Sequence, residues 1–232
     1  MIKFQNVTKV YPRNTHGSIS SVVLDGVSFE INNKEFISLV GRSGAGKTTL
    51  FKLLLAEENP TKGRIFLDSQ DVHKIKRANL FQLRRRIGTV FQDYKLLSSK
   101  TVFENIAYVM EVIGKSDEEI NRDTVEVLKI VGLNDRMHNF PAELSGGESQ
   151  RAAIARALIH RPDVILADEP TGNLDPYNTS EILKLLLKIH EIGTTVVLAT
   201  HNKEIVNSLG KRVITLENGK IIRDEEKGRF IL

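Results

Sequence analysis

The 232-residue chain contains no cysteine and no tryptophan, and only 6% of it is aromatic. Without cysteine there can be neither disulfides nor thiolate metal sites, which excludes the small disulfide-stapled secreted scaffolds and the zinc–thiolate modules. Long apolar runs are missing too. Stretches such as "VILA" at 164–167 and "VVLA" at 196–199 are strand-length, far short of the roughly 20 residues that a membrane helix needs. The N-terminal "MIKFQNVTKVYP" lacks the apolar core of a signal peptide, so the chain is expected to stay where it is made. No internal repeat or low-complexity linker divides it.

What is present is a core. Apolar residues make up 41% of the chain, too many for disorder, and the length fits one large domain or a core with a smaller lobe. The formal charge is +4. A basic balance suits a solvated surface, an anionic membrane surface or nucleic acid, in that order here. The cations are scattered, and the densest cluster is "LRRRIG" at 83–88.

Ile2, Phe4 and Val7 mark a short first strand, followed by strands at "VVLDGVSFEI" (22–31) and "EFISLV" (35–40). "GRSGAGKTTLFKLLLAEENP" passes from loop into a helix that Asn59 and Pro60 are expected to end, and "GRIFLD" returns to strand. The middle third reads as helical: Thr101 with Glu104 and Ser116 with Glu119 have capping-box spacing, and Gly132 closes the second helix. "VILAD" and "TTVVLAT" are β-branched strands with the amphipathic "SEILKLLLKIH" between them. "RVITLENGKIIRD" predicts a hairpin turning at Asn218 and Gly219. Alternating strands and helices predict an α/β fold with a mainly parallel core sheet and an antiparallel β edge. The expected organisation is a single domain over 1–232, with a core of 1–92 and 151–232 and an inserted helical lobe at about 93–150.

Gly41, Gly46, Lys47 and Thr48 satisfy G-x-x-x-x-G-K-[ST] between a strand and a helix, the context that a phosphate loop requires. Glycines there let backbone N–H groups close on a phosphate, and the helix N-terminus adds a favourable field. Lys47 is expected to reach the β- and γ-phosphates and Thr48 to ligate Mg²⁺. A chance glycine-rich turn is the plainer reading, but it does not explain the flanking strand and helix. "VILADE" delivers Asp168 to the end of a buried strand, where it can hold the metal's water shell, with Glu169 next to orient or deprotonate the attacking water. Taken alone, such a pair is more often a helix cap or a solvated turn.

"LSGGESQR" at 144–151 raises a second question. Ser145 and Glu148 fit a capping box, which needs no ligand. Gly146 and Gly147, read as the turn into the helix, cost helix stability but allow close approach to an anion. One mononucleotide offers one γ-phosphate, already held by Lys47. The second anion site is therefore expected to serve a nucleotide on another copy, two subunits related by a two-fold axis making two composite sites.

"GRSGAGKT", "LSGGE", "VILADE" and a downstream "ATH", in this order and spacing, resemble the nucleotide-binding subunits of the ABC family across nearly the whole chain. The resemblance implies a P-loop NTPase fold, the ABC nucleotide-binding domain, and an ATPase using ATP and Mg²⁺. It implies an ATP site formed by Gly41, Arg42, Ser43, Gly44, Ala45, Gly46, Lys47, Thr48 and Thr49. Tyr11, followed by the long "PRNTHGSISS", matches the aromatic that stacks on adenine. Glu169, His201 and Gln92 match the catalytic set; Thr48, Gln92 and Asp168 match the metal set. Ser145, Gly146, Gly147, Glu148 and Asp175 match the residues acting in trans across a homodimer. Ser149 departs from the family, which commonly carries glutamine there.

Within the family, "LRRRIGTVFQDYKLLSSKTVFENIAYVMEVIG", "NFPAELSGGE" and "LADEPTGNLD" are similar to the cassettes of bacterial cell division. That likeness implies a peripheral place on the cytoplasmic face of the inner membrane, through an integral membrane partner resembling FtsX, in control of cell-wall hydrolysis. Phe91, Tyr94, Leu96 and Leu97 are candidates for the partner's docking groove or, equally, for lobe core. Lipoprotein-release and macrolide-type exporters share "PTGNLD" and stay open as alternatives. A soluble ABC ATPase on nucleic acid lacks its usual second cassette or coiled-coil insertion here, so no specific nucleic acid is expected. A small-molecule kinase would leave "LSGGE" and His201 unexplained.

Overall fold

The computed structural model describes residues 1–12 and 21–230; most of "PRNTHGSISS" lies outside the described residues. The chain forms two compact units, Met1–Arg84 with Val197–Leu232, and Arg85–Val196.

In the first unit β1 (Ile2–Tyr11) pairs antiparallel with β2 (Ser21–Ile31) on one side and β4 (Lys62–Leu67) on the other, and β5 (Gln70–Asp71) extends the sheet. Phe4 faces Phe29 across the first pair, their rings stacked with centroids 4.6 Å apart. Strict alternation would turn Val7 outward, yet it is fully buried. A bulge at Asn6, with φ 48°, resets the phase and carries the strand on to Tyr11, longer than its apolar pattern implies. β3 (Phe36–Val40), buried throughout, runs parallel to β9 (Arg212–Glu217). β10 (Lys220–Glu225) returns beside β9 through Asn218 and Gly219, whose φ values of 47° and 76° suit the expected tight hairpin. β8 (Thr195–Thr200) lies next to β3 and leads to α7 (Lys203–Leu209).

α1 (Lys47–Leu54) follows β3. Asn59 and Pro60 do not end it: the last turn closes at Leu55, and Ala56 adopts a left-handed φ of 49°. The chain thus leaves the helix before the proline can act, with the left-handed exit that usually falls to glycine. α2 (Leu80–Arg85) spans the division between the units.

The second unit holds β6 (Ile87–Phe91) parallel to β7 (Val164–Asp168), with α3 (Val102–Val112), α4 (Asp117–Ile130), α5 (Gly146–Leu158) and α6 (Pro176–Glu191). The capping boxes at Thr101, Ser116 and Ser145 are all formed, and Gly132 follows α4 with φ 69°. α5 lies close on β6 because a Cβ at Gly88 would stand 2.4 Å from the Ala157 carbonyl oxygen. The sequence reading passed over β6. Its five residues include Gly88 and follow three arginines, so the basic cluster masks a short buried strand. Parallel pairings, an antiparallel hairpin edge and a separate antiparallel sheet make this the α/β architecture expected. Among the described residues no helix is long and apolar enough to cross a membrane.

Candidate functional site

The phosphate loop belongs to the first unit. Gly44 and Gly46 have φ of 78° and 109°, and a Cβ at Gly46 would lie 2.8 Å from Leu24. At Gly41 a Cβ would stand 2.3 Å from the Leu216 carbonyl oxygen. The loop's tight curve is therefore fixed by packing on β2 and β9 as well as by glycine's freedom. Lys47 is 6% exposed, and its ammonium donates to the Gly41 carbonyl at 2.8 Å.

The ends of the helices separate this loop from the rest. α3, α4, α5, α6 and α7 each receive a side-chain cap, from Thr101, Ser116, Ser145, Asp175 and Asn202. α1 receives none from Gly46 and has no acidic residue in its first turn. Its N–H groups and positive dipole end suit an anion. The glycine cradle and a neighbouring lysine fit a polyphosphate.

Tyr11 ends β1, its hydroxyl shared between the Glu58 carboxylate and the Thr49 hydroxyl of α1. The Lys9 ammonium lies 4.7 Å from the ring centroid and 3.0 Å from Glu58. Burial and then the Glu58 bond push the Tyr11 phenol up. Burial alone would raise Glu58, but Tyr11 and Lys9 hold its carboxyl below the usual range. His201 lies on the exposed turn between β8 and α7.

In the second unit the β6–β7 register pairs Phe91 with Asp168. The next residues, Gln92 and Glu169, therefore leave the sheet together at its carboxyl end. Glu169 takes a left-handed φ of 48°, a conformation costing on the order of 1 kcal/mol for a residue with a side chain. Gln92 is held on both sides: its Nε2 donates to Asn173 Oδ1 at 2.9 Å, and Asn173 Nδ2 donates to the Gln92 carbonyl at 3.2 Å. Gly172 makes room, since a Cβ there would meet Gln92 Nε2 at 2.8 Å. Sequence reasoning missed Asn173, although it stands inside the "GNLD" that marked Asp175.

The start of α5 needs two corrections. Gly146 and Gly147 are its first two helical residues, not a turn before it, and neither has a positive φ. Gly147 also has a reason within its own subunit: a Cβ would sit 2.0 Å from Asn178 Oδ1. Asn178 in turn donates its side-chain N–H to Asp175 at 2.5 Å while Asp175 caps α6. At Gly146 the nearest atom to a Cβ is the Tyr94 hydroxyl at 3.1 Å. Ser145 and Glu148 bond one another reciprocally, and Arg136 joins Glu148 at 3.0 Å. The Ser145 backbone N–H, its hydroxyl and then Arg136 hold the Glu148 carboxyl below the usual range.

Asp175 is held below its usual range by the Asn178 backbone N–H and then the Asn178 side chain. Tyr94 and Lys95 are consecutive left-handed residues, φ 56° and 49°. The Arg156 guanidinium of α5 donates to both carbonyls, at 2.8 and 2.5 Å. A single arginine within "AAIARALI" was the available signal. Among the groove candidates Leu97 is exposed, as are Tyr108 and Val112 of α3. Phe91 is half-buried under the Lys95 ammonium, and Tyr94 leans on Gly146.

A family model described as ABC transporter matches residues 24–172. The chain belongs to that family. The cassette is thus an ABC ATPase subunit, with ATP as its nucleotide. It is 49% identical over 230 residues to the cell division ATP-binding protein FtsE of Bacillus subtilis (strain 168), covering 99% of this chain and 98% of that one. FtsE of Streptococcus pneumoniae is 50% identical, with 99% and 97% covered. A dimeric post-hydrolysis structure of the ATP-binding cassette MJ0796 bound to ADP and Pi superposes with a TM-score of 0.87 at 36% identity, covering 99% of this chain and all of that one.

The donors proposed for a metal are a threonine hydroxyl, a glutamine amide and an aspartate. All are hard oxygen ligands of the kind Mg²⁺ takes when phosphates and water complete its shell. Among the described residues no cluster of three or more His, Cys, Asp or Glu gathers for a metal.

Proposed function

We propose that the chain is the ATP-driven subunit of a membrane complex of bacterial cell division, working as a homodimer that closes on ATP. The observation that carries the division role is the near-50% identity to FtsE proteins over almost the full length of both chains.

Each ATP would lie on one subunit's phosphate loop. Lys47 would turn from the Gly41 carbonyl to the β- and γ-oxygens, and Tyr11 would face the adenine. Thr48, Gln92 and Asp168 would hold Mg²⁺, which neutralises phosphate charge when bound. Glu169 would take the proton of the attacking water, with Gln92 beside it and His201 at the γ-phosphate. Ser145, Gly146, Gly147, Glu148 and Asp175 would act on the other subunit's nucleotide. The uncapped α1 supports the first assignment, the register beside Glu169 the second, and the small Gly146 the third.

Closure would reach an FtsX-like integral membrane protein through the lobe, where Leu97, Tyr108 and Val112 offer exposed apolar surface. This would hold the cassette at the cytoplasmic face of the inner membrane and relay ATP turnover to cell-wall hydrolysis. Tagged Glu169→Gln held in ATP should co-purify, from the native organism's membranes, a small permease whose extracytoplasmic loop binds activators of wall hydrolases. A lipoprotein-release or drug-export permease in its place would keep the mechanism and replace the purpose. Nucleic acid without any membrane protein would overturn the membrane complex itself.

A further inference from the structure

Between Asp71 and Asp93 the sequence has no acidic residue, while it carries Lys74, Lys76, Arg77, Arg84, Arg85 and Arg86. Elsewhere in the first unit several cations, exposed or half-buried, meet carboxylates: Lys3 with Glu30, Lys9 and Lys52 with Glu58, Lys220 with Asp25, and Arg212 with Glu35 and Asp224. Lys74, Lys76 and Arg77 are exposed and have no ion pair among the described residues. In their midst Phe81 is 61% exposed, whereas Leu83 of the same short helix is buried. Phe81 and Arg84 lie three apart on α2, the spacing of one helical face, and Arg77 stands in the 3₁₀ turn just before that helix. Arg84 is already engaged, donating to the Leu55 carbonyl at 3.2 Å.

We infer that this turn, centred on Lys76, Arg77 and Phe81, is a contact surface for anionic phospholipid headgroups. A phenyl group left in water forgoes the gain that apolar surroundings would give it. Unpaired cations around an isolated aromatic match an interface whose outer layer is anionic and whose next layer is hydrocarbon. The patch has neither the aromatic series nor the continuous groove of a single-strand binder. The choice of lipid over another polyanion rests on the membrane placement proposed above; the charge pattern does not.

The test is co-sedimentation of the full chain with vesicles of phosphatidylcholine, with and without phosphatidylglycerol. Binding should need the anionic lipid and weaken in high salt. Each removed cation should lower partitioning about fivefold, so Lys76→Glu with Arg77→Glu should reduce it on the order of a hundredfold or more. Phe81→Ser should reduce it severalfold, and both variants should keep wild-type ATP hydrolysis, which shows that they fold. No binding to anionic vesicles, or binding indifferent to both variants, overturns the inference. Equal, variant-sensitive binding to a DNA duplex or an acidic polypeptide overturns the lipid assignment. The vesicles contain no membrane protein, so failure here leaves the permease reading to its own pull-down.

Discussion

At Gly147 the fold reverses the usual sign of a glycine substitution. Alanine in a helix is ordinarily worth about 1 kcal/mol over glycine. Here its Cβ would lie 2.0 Å from an amide oxygen whose side chain Asp175 holds in place. Gly147→Ala should therefore destabilise the chain by about 1–2 kcal/mol, the overlap outweighing the helix gain. In an Asn178→Ala background the same change should become neutral or stabilising. Urea denaturation of the four proteins in this cycle checks both signs, and equal effects in the two backgrounds would remove Asn178 as the cause. The two glycines are adjacent in sequence and equally suggestive of an anion, but they separate in the structure. A Cβ at Gly147 would overlap Asn178, whereas one at Gly146 would press less closely, on the Tyr94 hydroxyl at 3.1 Å and Leu174 at 3.4 Å. No spacing rule could divide them, because Asn178 lies thirty-one residues downstream and only the packing of α6 brings it there.

Elements answer to their caps and anchors. Lys115 and then the Ser116 backbone and hydroxyl pull the Glu119 carboxyl at the start of α4 from 4.5 to about 2. A carboxyl depressed on folding stabilises above its unfolded pKa and loses that contribution as pH falls through the folded value. Amide protection in the first turn of α4 should accordingly fall between pH 4.5 and about 2, and Glu119→Gln should flatten that dependence. Arg156 anchors a different element, the left-handed pair Tyr94–Lys95. Burial lowers the guanidinium's pKa, though not enough to discharge it. Arg156→Met leaves two carbonyls unpaired and should speed tryptic cleavage at Lys95 about tenfold or more, since the opening then costs at least one charged hydrogen bond less. An unchanged cleavage rate would show that the pair is held by other contacts. The three capping boxes were legible in advance because they are local, an oxygen and a carboxylate three residues apart. β6 was not legible, being defined by its partner β7 and by the small residues of α5 above it, neither of which leaves a mark within five residues.

For the whole molecule the decisive state, on the proposed function, would be the ATP-bound dimer. Glu169→Gln should keep nucleotide affinity, lose about 10²-fold or more in turnover and elute as a dimer in ATP by size-exclusion chromatography; normal turnover would take Glu169 out of the base role. On the proposed trans assignment, Gly146→Asp would place a carboxylate beside the partner's nucleotide. It should leave single-subunit binding of a fluorescent ATP analogue near normal while abolishing the dimer, and lost binding in the monomer would break the trans assignment. The fold class and family were readable because four motifs in order leave little freedom. The residues that steady them, Asn173, Asn178 and Arg156, were not, because each acts on a backbone or amide far away in sequence.

One feature of the first unit reaches beyond catalysis. α1 receives no side-chain cap from Gly46, so a nucleotide bound there as proposed would complete a piece of secondary structure as well as occupy a site. A ligand that binds the native state alone at a hundred times its Kd adds about 2.7 kcal/mol to stability. A subunit emptied of nucleotide should therefore be looser and more protease-sensitive than one saturated with it.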